Sequence, residues 1–132
     1  MNDMSNLSNA VVSQSLAGRR LENKSVILTG AAGSIGRYIS RHLLREGAKV
    51  TMTGRDPSKL DAFVEELSEE GFDADNITTI VGDCADPQVC RDIVSRALDT
   101  FGKLDVLVNN AGAAGPKYTL RDIPFTDVEM RA

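Results

Sequence analysis

Short runs of aliphatic and β-branched residues alternate along this chain with longer segments whose apolar residues recur every three or four positions. The short runs predict strands at residues 25–29, 49–53, 77–81 and 104–108. The longer segments predict helices, because their apolar positions fall on one helical face. Strand and helix alternate with short connections up to a fourth strand, and this order predicts a parallel sheet with right-handed crossovers.

Capping residues and glycines predict where the helices begin and end. Asp56-Pro57 and Asp86-Pro87 each combine an N-capping acid with a proline suited to the first helical position. Glycines stand where the helices are expected to end, at Gly47, Gly71 and Gly102. The first helix carries its apolar stripe at Ile35, Ile39 and Leu43. The stripes of the other two helices are Leu60, Phe63, Val64 and Leu67, and then Val89, Ile93, Ala97 and Phe101.

These elements predict an α/β fold, the first half of a Rossmann-type doubly wound parallel sheet with strand order 3-2-1-4. The predicted half-domain covers residues 23–132. Residues 1–22 are rich in Ser and Asn, and we expect them to form a flexible N-terminal extension.

Composition and charge exclude several classes of function. The 132 residues carry a formal net charge of −4, with a sequence pI near 4.9, which argues against nucleic acid as a partner. No apolar run approaches the roughly 20 residues of a membrane helix. Cys84 and Cys90 match no common zinc spacing, so no metal site is predicted. We expect a cytoplasmic protein with free thiols.

The residues from Thr29 to Gly36 lie between the first predicted strand and the first predicted helix. Gly30 permits a tight turn, Gly33 lets the backbone approach a pyrophosphate, and Gly36 lets the helix pack on the strand. Together with Ser34 and Ile35, which open the helix, these glycines are predicted to bind a dinucleotide at the helix N-terminus. A purely structural turn is the alternative.

Residues that follow the other strands extend this predicted site. Thr53-Gly54-Arg55 ends the second strand without an acid, so Arg55 is predicted to accommodate the 2′-phosphate of NADP(H); an ordinary solvated arginine is the alternative. Asp83 and Cys84 follow the third strand, where this fold meets the adenine, although Asp83 could instead cap its loop. Asn110, Ala111 and Gly112 follow the fourth strand, where a ligand lies across the strand ends.

Over about residues 21–132 the chain resembles the short-chain dehydrogenase/reductase family. The resemblance is carried by three motifs in order: T-G-x-x-x-x-x-G at residues 29–36, Asp83, and N-N-A-G at residues 109–112. The resemblance implies that Asp83 steadies the adenine pocket, that Asn109 stabilises the sheet and that residues 110–112 line the cofactor. The plain family pattern is T-G-x-x-x-G-x-G, whereas here Ser34 replaces its middle glycine and Gly33 precedes it. That spacing also occurs in the extended, epimerase-like branch, which remains a minor alternative.

Residues 113–126, taken with residues 53–56, resemble more closely the amino-terminal reductase domain of the bacterial bifunctional malonyl-CoA reductases. This resemblance implies reduction of a small carbonyl substrate, malonate semialdehyde, to 3-hydroxypropionate with NADPH. The residues themselves do not define the substrate.

The proton-donating Y-x-x-x-K pair of the family is absent from this chain. Tyr38 is followed four residues later by His42, and Tyr118 by Asp122, so no catalytic residue is assigned. A capping box at residues 126–129 predicts the start of a helix close to the last residue. We therefore expect a truncated chain that is inactive alone, whose partner is the C-terminal remainder of the same protein, and that forms a homo-oligomer when complete. A stand-alone dinucleotide-binding or interaction module is the alternative.

Overall fold

The computed structural model describes residues 20–112, which contain four strands alternating with three α-helices. The strands are β1 (Ser25–Leu28), β2 (Lys49–Gly54), β3 (Ile77–Val81) and β4 (Val106–Val108). The α-helices are α1 (Ser34–Arg45), α2 (Pro57–Glu69) and α3 (Pro87–Phe101), and a 3-10 helix at Ala74–Asn76 precedes β3. The predicted alternation is confirmed, although the fourth strand begins two residues later than expected.

The strands form one parallel sheet in the order β3-β2-β1-β4, which confirms the predicted topology. In the middle of the sheet, Val26 of β1 is opposite Val50 of β2 on one side and Val106 of β4 on the other. All four residues of β1 are buried. Because the strands are parallel, the segments that follow β1, β2 and β4 all leave the sheet at the same edge.

Helices cover both faces of the sheet, and β1 divides the core between them. Val26 and Leu28 belong to a larger cluster with residues of α1 and α2, whereas Ile27 faces α3. Five residues of the apolar stripes predicted for α2 and α3 are buried: Leu60, Phe63, Leu67, Ile93 and Ala97. The other three are half-buried: Val64, Val89 and Phe101.

The stripe predicted for α1 is wrong at its first residue. Ile35 is 68% exposed, and the buried positions are instead Gly36, Ser40 and Leu44. The helix is rotated by one residue because Gly36 lies directly against the turn that precedes it. The buried hydroxyl of Ser40 donates to the carbonyl oxygen of Gly36 at 2.8 Å, so this face tolerates a polar residue.

Most of the predicted extension at residues 1–22 lies outside the described residues. Of its last three residues, Leu21 packs against the larger core cluster, and its N–H donates to the carbonyl oxygen of Glu46 at 2.9 Å. The predicted boundary between extension and domain stays a prediction.

Asp105 connects β4 to β1 just before the ladder of the two strands begins. Its Oδ2 accepts from the N–H of Ser25 at 2.9 Å, and its own N–H donates to the carbonyl oxygen of Ser25 at 2.9 Å. The ammonium of Lys103 lies 3.4 Å from the same carboxylate oxygen. The Ser25 N–H, aided by Lys103, holds the pKa of Asp105 below its ordinary value.

We expect the substitution Asp105→Asn to change how stability depends on pH. A carboxylate whose pKa is lower in the folded state stabilises the fold above its unfolded pKa of about 3.9. This contribution is lost as the pH falls through the folded pKa. Asparagine keeps an oxygen acceptor but removes the charge. The variant should therefore have a lower urea midpoint near neutral pH, and the difference should shrink towards about pH 3.

Circular dichroism during urea unfolding of the 132-residue chain at both pH values measures this difference. Asp99→Asn, at an exposed position of α3, is the matched control. A deficit of equal size at both pH values would contradict the role assigned to the Asp105 charge.

Candidate cofactor-binding site

An open depression of about 450 Å³ lies where β1, β2 and β4 end. Three segments line it: the turn between β1 and α1, the connection from β2 into α2, and the residues after β4. Ligands of open α/β sheets bind at this edge, in the crevice outside the carboxyl ends of the strands. The depression is therefore the candidate site.

Nine of the eleven residues predicted for the site line this depression. They are Gly30, residues 33–36, Arg55 and residues 110–112. The structure thus brings together three segments that are far apart in the sequence; Gly30 and Asn110, for example, are separated by 80 positions.

Asp83 and Cys84 do not line the depression. The carboxylate of Asp83 accepts from the N–H of Ala85 at 2.9 Å, and its carbonyl oxygen accepts from Asp86 at 2.9 Å. These bonds close the loop, which is the alternative role considered for Asp83. Cys84 is half-buried against the smaller core cluster, and its carbonyl oxygen accepts from the Cys90 thiol at 3.0 Å. The predicted contact of Asp83 and Cys84 with an adenine stays a prediction.

Two glycines of the turn occupy positions where a side chain would be strained or would clash. Gly30 has φ +63°, and a Cβ there would lie 3.0 Å from the Cα of Ala111. A Cβ on Gly36 would lie 1.9 Å from the carbonyl oxygen of Gly30. A Cβ on Gly33, by contrast, would meet only that same oxygen at 3.5 Å, an ordinary contact. The turn therefore depends on Gly30 and Gly36, while Gly33 borders open space.

Helix α1 begins at this turn without a side-chain cap. Its N-cap residue is Gly33, and its first turn contains no acid. Helices α2 and α3, in contrast, each begin with an aspartate that accepts from their first-turn N–H groups, Asp56 and Asp86. The first N–H groups of α1 thus lack a side-chain acceptor, and the helix dipole adds positive potential there. Such a helix start favours an anion.

Thr29 connects this turn to the segment after β4. Its buried hydroxyl oxygen accepts from the N–H of Asn110 at 3.0 Å and from the N–H of Ala111 at 2.9 Å. The same hydroxyl lies 3.4 Å from the carbonyl oxygen of Val108, to which it donates. The amide of Asn110 in turn donates to the carbonyl oxygen of Gly30 at 3.2 Å. Sequence reasoning gave Thr29 no role of its own, since these partners follow only from the pairing of β1 with β4.

Two basic side chains stand at the β2 side of the depression. Arg55 follows β2 directly and is exposed. Lys59, in the first turn of α2, also lines the depression and was missed by sequence reasoning. The predicted helix start at Asp56-Pro57 contained the signal, because it places Lys59 within one turn of the strand end.

Two of the three arginines of α1, Arg37 and Arg41, are bound to α2 instead. Arg37 and Arg41 both form ion pairs with Glu66, the latter at 2.8 Å, and Arg41 also contacts Glu70 at 2.9 Å. The hydrogen bond from Arg41 lowers the pKa of Glu70 and raises the pKa of Arg41. Both guanidinium groups lie over the ring of Phe63, at 5.0 and 5.3 Å from its centroid. These contacts hold α1 and α2 together beside the depression.

Within residues 20–112, no group of three or more His, Cys, Asp or Glu side chains is arranged to hold a metal ion. In the same part of the chain, no helix combines the length and apolar character needed to cross a membrane.

Comparison with known protein families agrees with this geometry. The family model for short chain dehydrogenase matches residues 24–130. This chain belongs to the short-chain dehydrogenase family. The predicted family resemblance is therefore confirmed.

Individual members of the family differ in what they act on. The 7alpha-hydroxysteroid dehydrogenase of Bacteroides fragilis is 36% identical over 111 residues, which are 84% of this chain and 40% of that protein. A crystal structure of the N-domain of a bacterial malonyl-CoA reductase with NADP is 40% identical, with a TM-score of 0.71 over 80% of this chain and 20% of that one. The C-domain with NADP is 28% identical, with a TM-score of 0.72, over 86% of this chain and 18% of that chain. The chain thus spans less than half the length of these relatives.

We expect Gly36→Ala to destabilise the chain and Gly33→Ala to leave it nearly unchanged. The new methyl group at residue 36 would overlap a backbone oxygen that cannot move without opening the turn. Overpacking of this kind costs about 1–3 kcal/mol. Alanine at residue 33 meets no such obstacle and should cost less than about 1 kcal/mol as a weaker N-cap. Urea unfolding compares the two variants, and equal losses of stability would contradict the close approach of α1 to the turn.

Proposed function

We propose that this chain is the NADP(H)-binding portion of a short-chain dehydrogenase/reductase that reduces a carbonyl group to an alcohol. The observation that carries the proposal is the start of α1. Its first turn has no side-chain cap and no acid, and it opens onto the depression between the glycine turn and the segment after β4. A pyrophosphate needs this combination of N–H donors and close backbone approach.

The described residues fit such a dinucleotide from one end of the depression to the other. Residues 33–36 would hold the pyrophosphate, because they form the uncapped start of α1 and a Cβ at residue 33 would meet nothing closer than 3.5 Å. Arg55 would bind the 2′-phosphate, since neither Thr53 nor Gly54 offers a repelling carboxylate. Residues 110–112, held by Thr29, would border the remaining part of the cofactor. When bound, NADPH supplies the hydride that reduces the carbonyl carbon.

Proton donation requires a group that these 132 residues do not offer in the family's form, because no tyrosine is followed four positions later by lysine. We propose that the C-terminal remainder of the same protein supplies this pair. The complete protein would then be the enzyme, and we propose that it acts as a homo-oligomer.

Malonate semialdehyde is the substrate we propose for the complete protein. Support comes from the sequence of residues 113–126 and from the malonyl-CoA reductase domains, of which the N-domain is 40% identical and the C-domain 28%. The steroid dehydrogenase relative supports only the broader class, reactions between an alcohol and a carbonyl group.

The proposal predicts that the chain binds NADPH more tightly than NADH and that Arg55→Ala removes most of this preference. The 2′-phosphate is close to a dianion at neutral pH, and a guanidinium can pair with it through charge-assisted hydrogen bonds. Losing such a contact should cost roughly 1.5–3 kcal/mol of binding free energy, which lowers the affinity for NADPH about tenfold or somewhat more. NADH binding should be nearly unaffected.

Fluorescence titration of both cofactors at low and high salt gives the two dissociation constants. Arg91→Ala on α3 is the matched control, because it removes the same charge away from the depression. Equal weakening of both cofactors by Arg55→Ala would contradict the assignment of NADP(H), and no binding of NADPH to the unsubstituted chain would overturn the proposed function.

A further inference from the structure

Lys59 stands between the cofactor depression and a second, neighbouring depression of about 500 Å³. The second depression is lined by the start of α1, including Gly33 and Ser34, and by the exposed flank of that helix. Lys59 therefore borders both depressions together with the start of α1, and it lies in the first turn of α2, just beyond the end of β2. No motif in the sequence assigns it a role.

The charges around Lys59 separate into two groups. Arg37 and Arg41 are held by Glu66 and Glu70, as described above. Neither Arg55 nor Lys59 forms an ion pair within the described residues. Two positive charges at the β2 side of the depression are thus left without a protein counter-ion from residues 20–112.

Asp56 lies between these two cations but does not neutralise them through an ion pair. Its Oδ1 accepts from the backbone N–H of Ser58 at 2.9 Å and from that of Lys59 at 3.3 Å. The carboxylate is therefore used as the cap of α2, and its charge interacts favourably with the helix start. This cap also fixes the backbone of Lys59, so the lysine side chain extends from a rigid position.

We propose that Lys59 is a second specificity-determining residue, which binds the 2′-phosphate of the dinucleotide together with Arg55. This inference rests on the proposed function. A phosphate monoester carries close to two negative charges at neutral pH, which matches the two unpaired cations. The planar guanidinium of Arg55 would define the geometry, while the ammonium of Lys59 would add a mobile point charge on the other side. The glutamates of α2 already bind Arg37 and Arg41, so these two arginines are not free to take this role.

The test is to measure the dissociation constants of NADPH and NADH for the 132-residue chain and its variants, at low and high salt. Lys59→Gln should raise the dissociation constant of NADPH by about fivefold or more and change that of NADH by less than about twofold. Lys59→Arg, which keeps the charge, should retain most of the preference. Lys24→Gln makes the same substitution at the opposite edge of the sheet, next to the start of β1, and should leave both constants unchanged.

Two further measurements separate the possible roles of Lys59. The double variant Arg55→Gln with Lys59→Gln should bind NADPH and NADH about equally well. In competition, adenosine 2′,5′-bisphosphate should lose affinity with Lys59→Gln, whereas adenosine 5′-diphosphate should not. The salt dependence of NADPH binding should also become shallower in Lys59→Gln, because one fewer charge pairs with the phosphate.

Each other outcome overturns the inference. If Lys59→Gln lowers the affinity for NADPH and NADH equally, Lys59 either contacts the part that the two cofactors share or positions α2. Full retention of the NADPH preference would assign the 2′-phosphate to Arg55 alone. In both cases the NADP(H) function stands. If the unsubstituted chain binds neither cofactor, the proposed function fails and the inference fails with it.

Discussion

The contact of Gly36 with the carbonyl oxygen of Gly30 is the constraint on which the rest of the site depends. A Cβ at residue 36 would lie 1.9 Å from that oxygen, so α1 can begin this close to β1 only with glycine there. The contact sets the rotation of the helix, which buries Ser40 and Leu44. It also leaves Ile35 exposed at the depression and directs the uncapped helix start towards the carboxyl edge of the sheet.

The site is also coupled to the pairing of β1 with β4. Thr29 directly follows β1 and accepts from two N–H groups of the segment after β4, so this segment keeps its place only while the two strands are paired. Asp105 secures the opposite end of that pairing. Within the described residues β4 is an edge strand, and Leu107 is 56% exposed. An unpaired edge of this kind is vulnerable unless further chain covers it, so the stability of β4 bears directly on the geometry of the site.

The fold was predictable from the sequence because its hydrophobic pattern and its capping residues agree. Asp56 and Asp86 cap the helices that they were expected to cap, and the order of the strands follows from the alternation. Ile35 was placed wrongly because a backbone contact of Gly36, and not apolar burial, orients α1. Lys59 was missed because motif spacing ends at the residue after β2 and does not show which side chains of the next helix face the same depression.

A titration of the ¹⁵N-labelled chain with NADPH, followed by amide chemical shifts, tests most directly whether the glycine turn and the segment after β4 form one cofactor site. If the two segments form one site, the largest shift changes fall together on residues 33–36 and residues 110–112, at the same NADPH concentration. We expect smaller changes at Ala85, in the loop that Asp83 closes. Changes confined to one of the two segments, or no changes at saturating NADPH, would contradict a shared cofactor site.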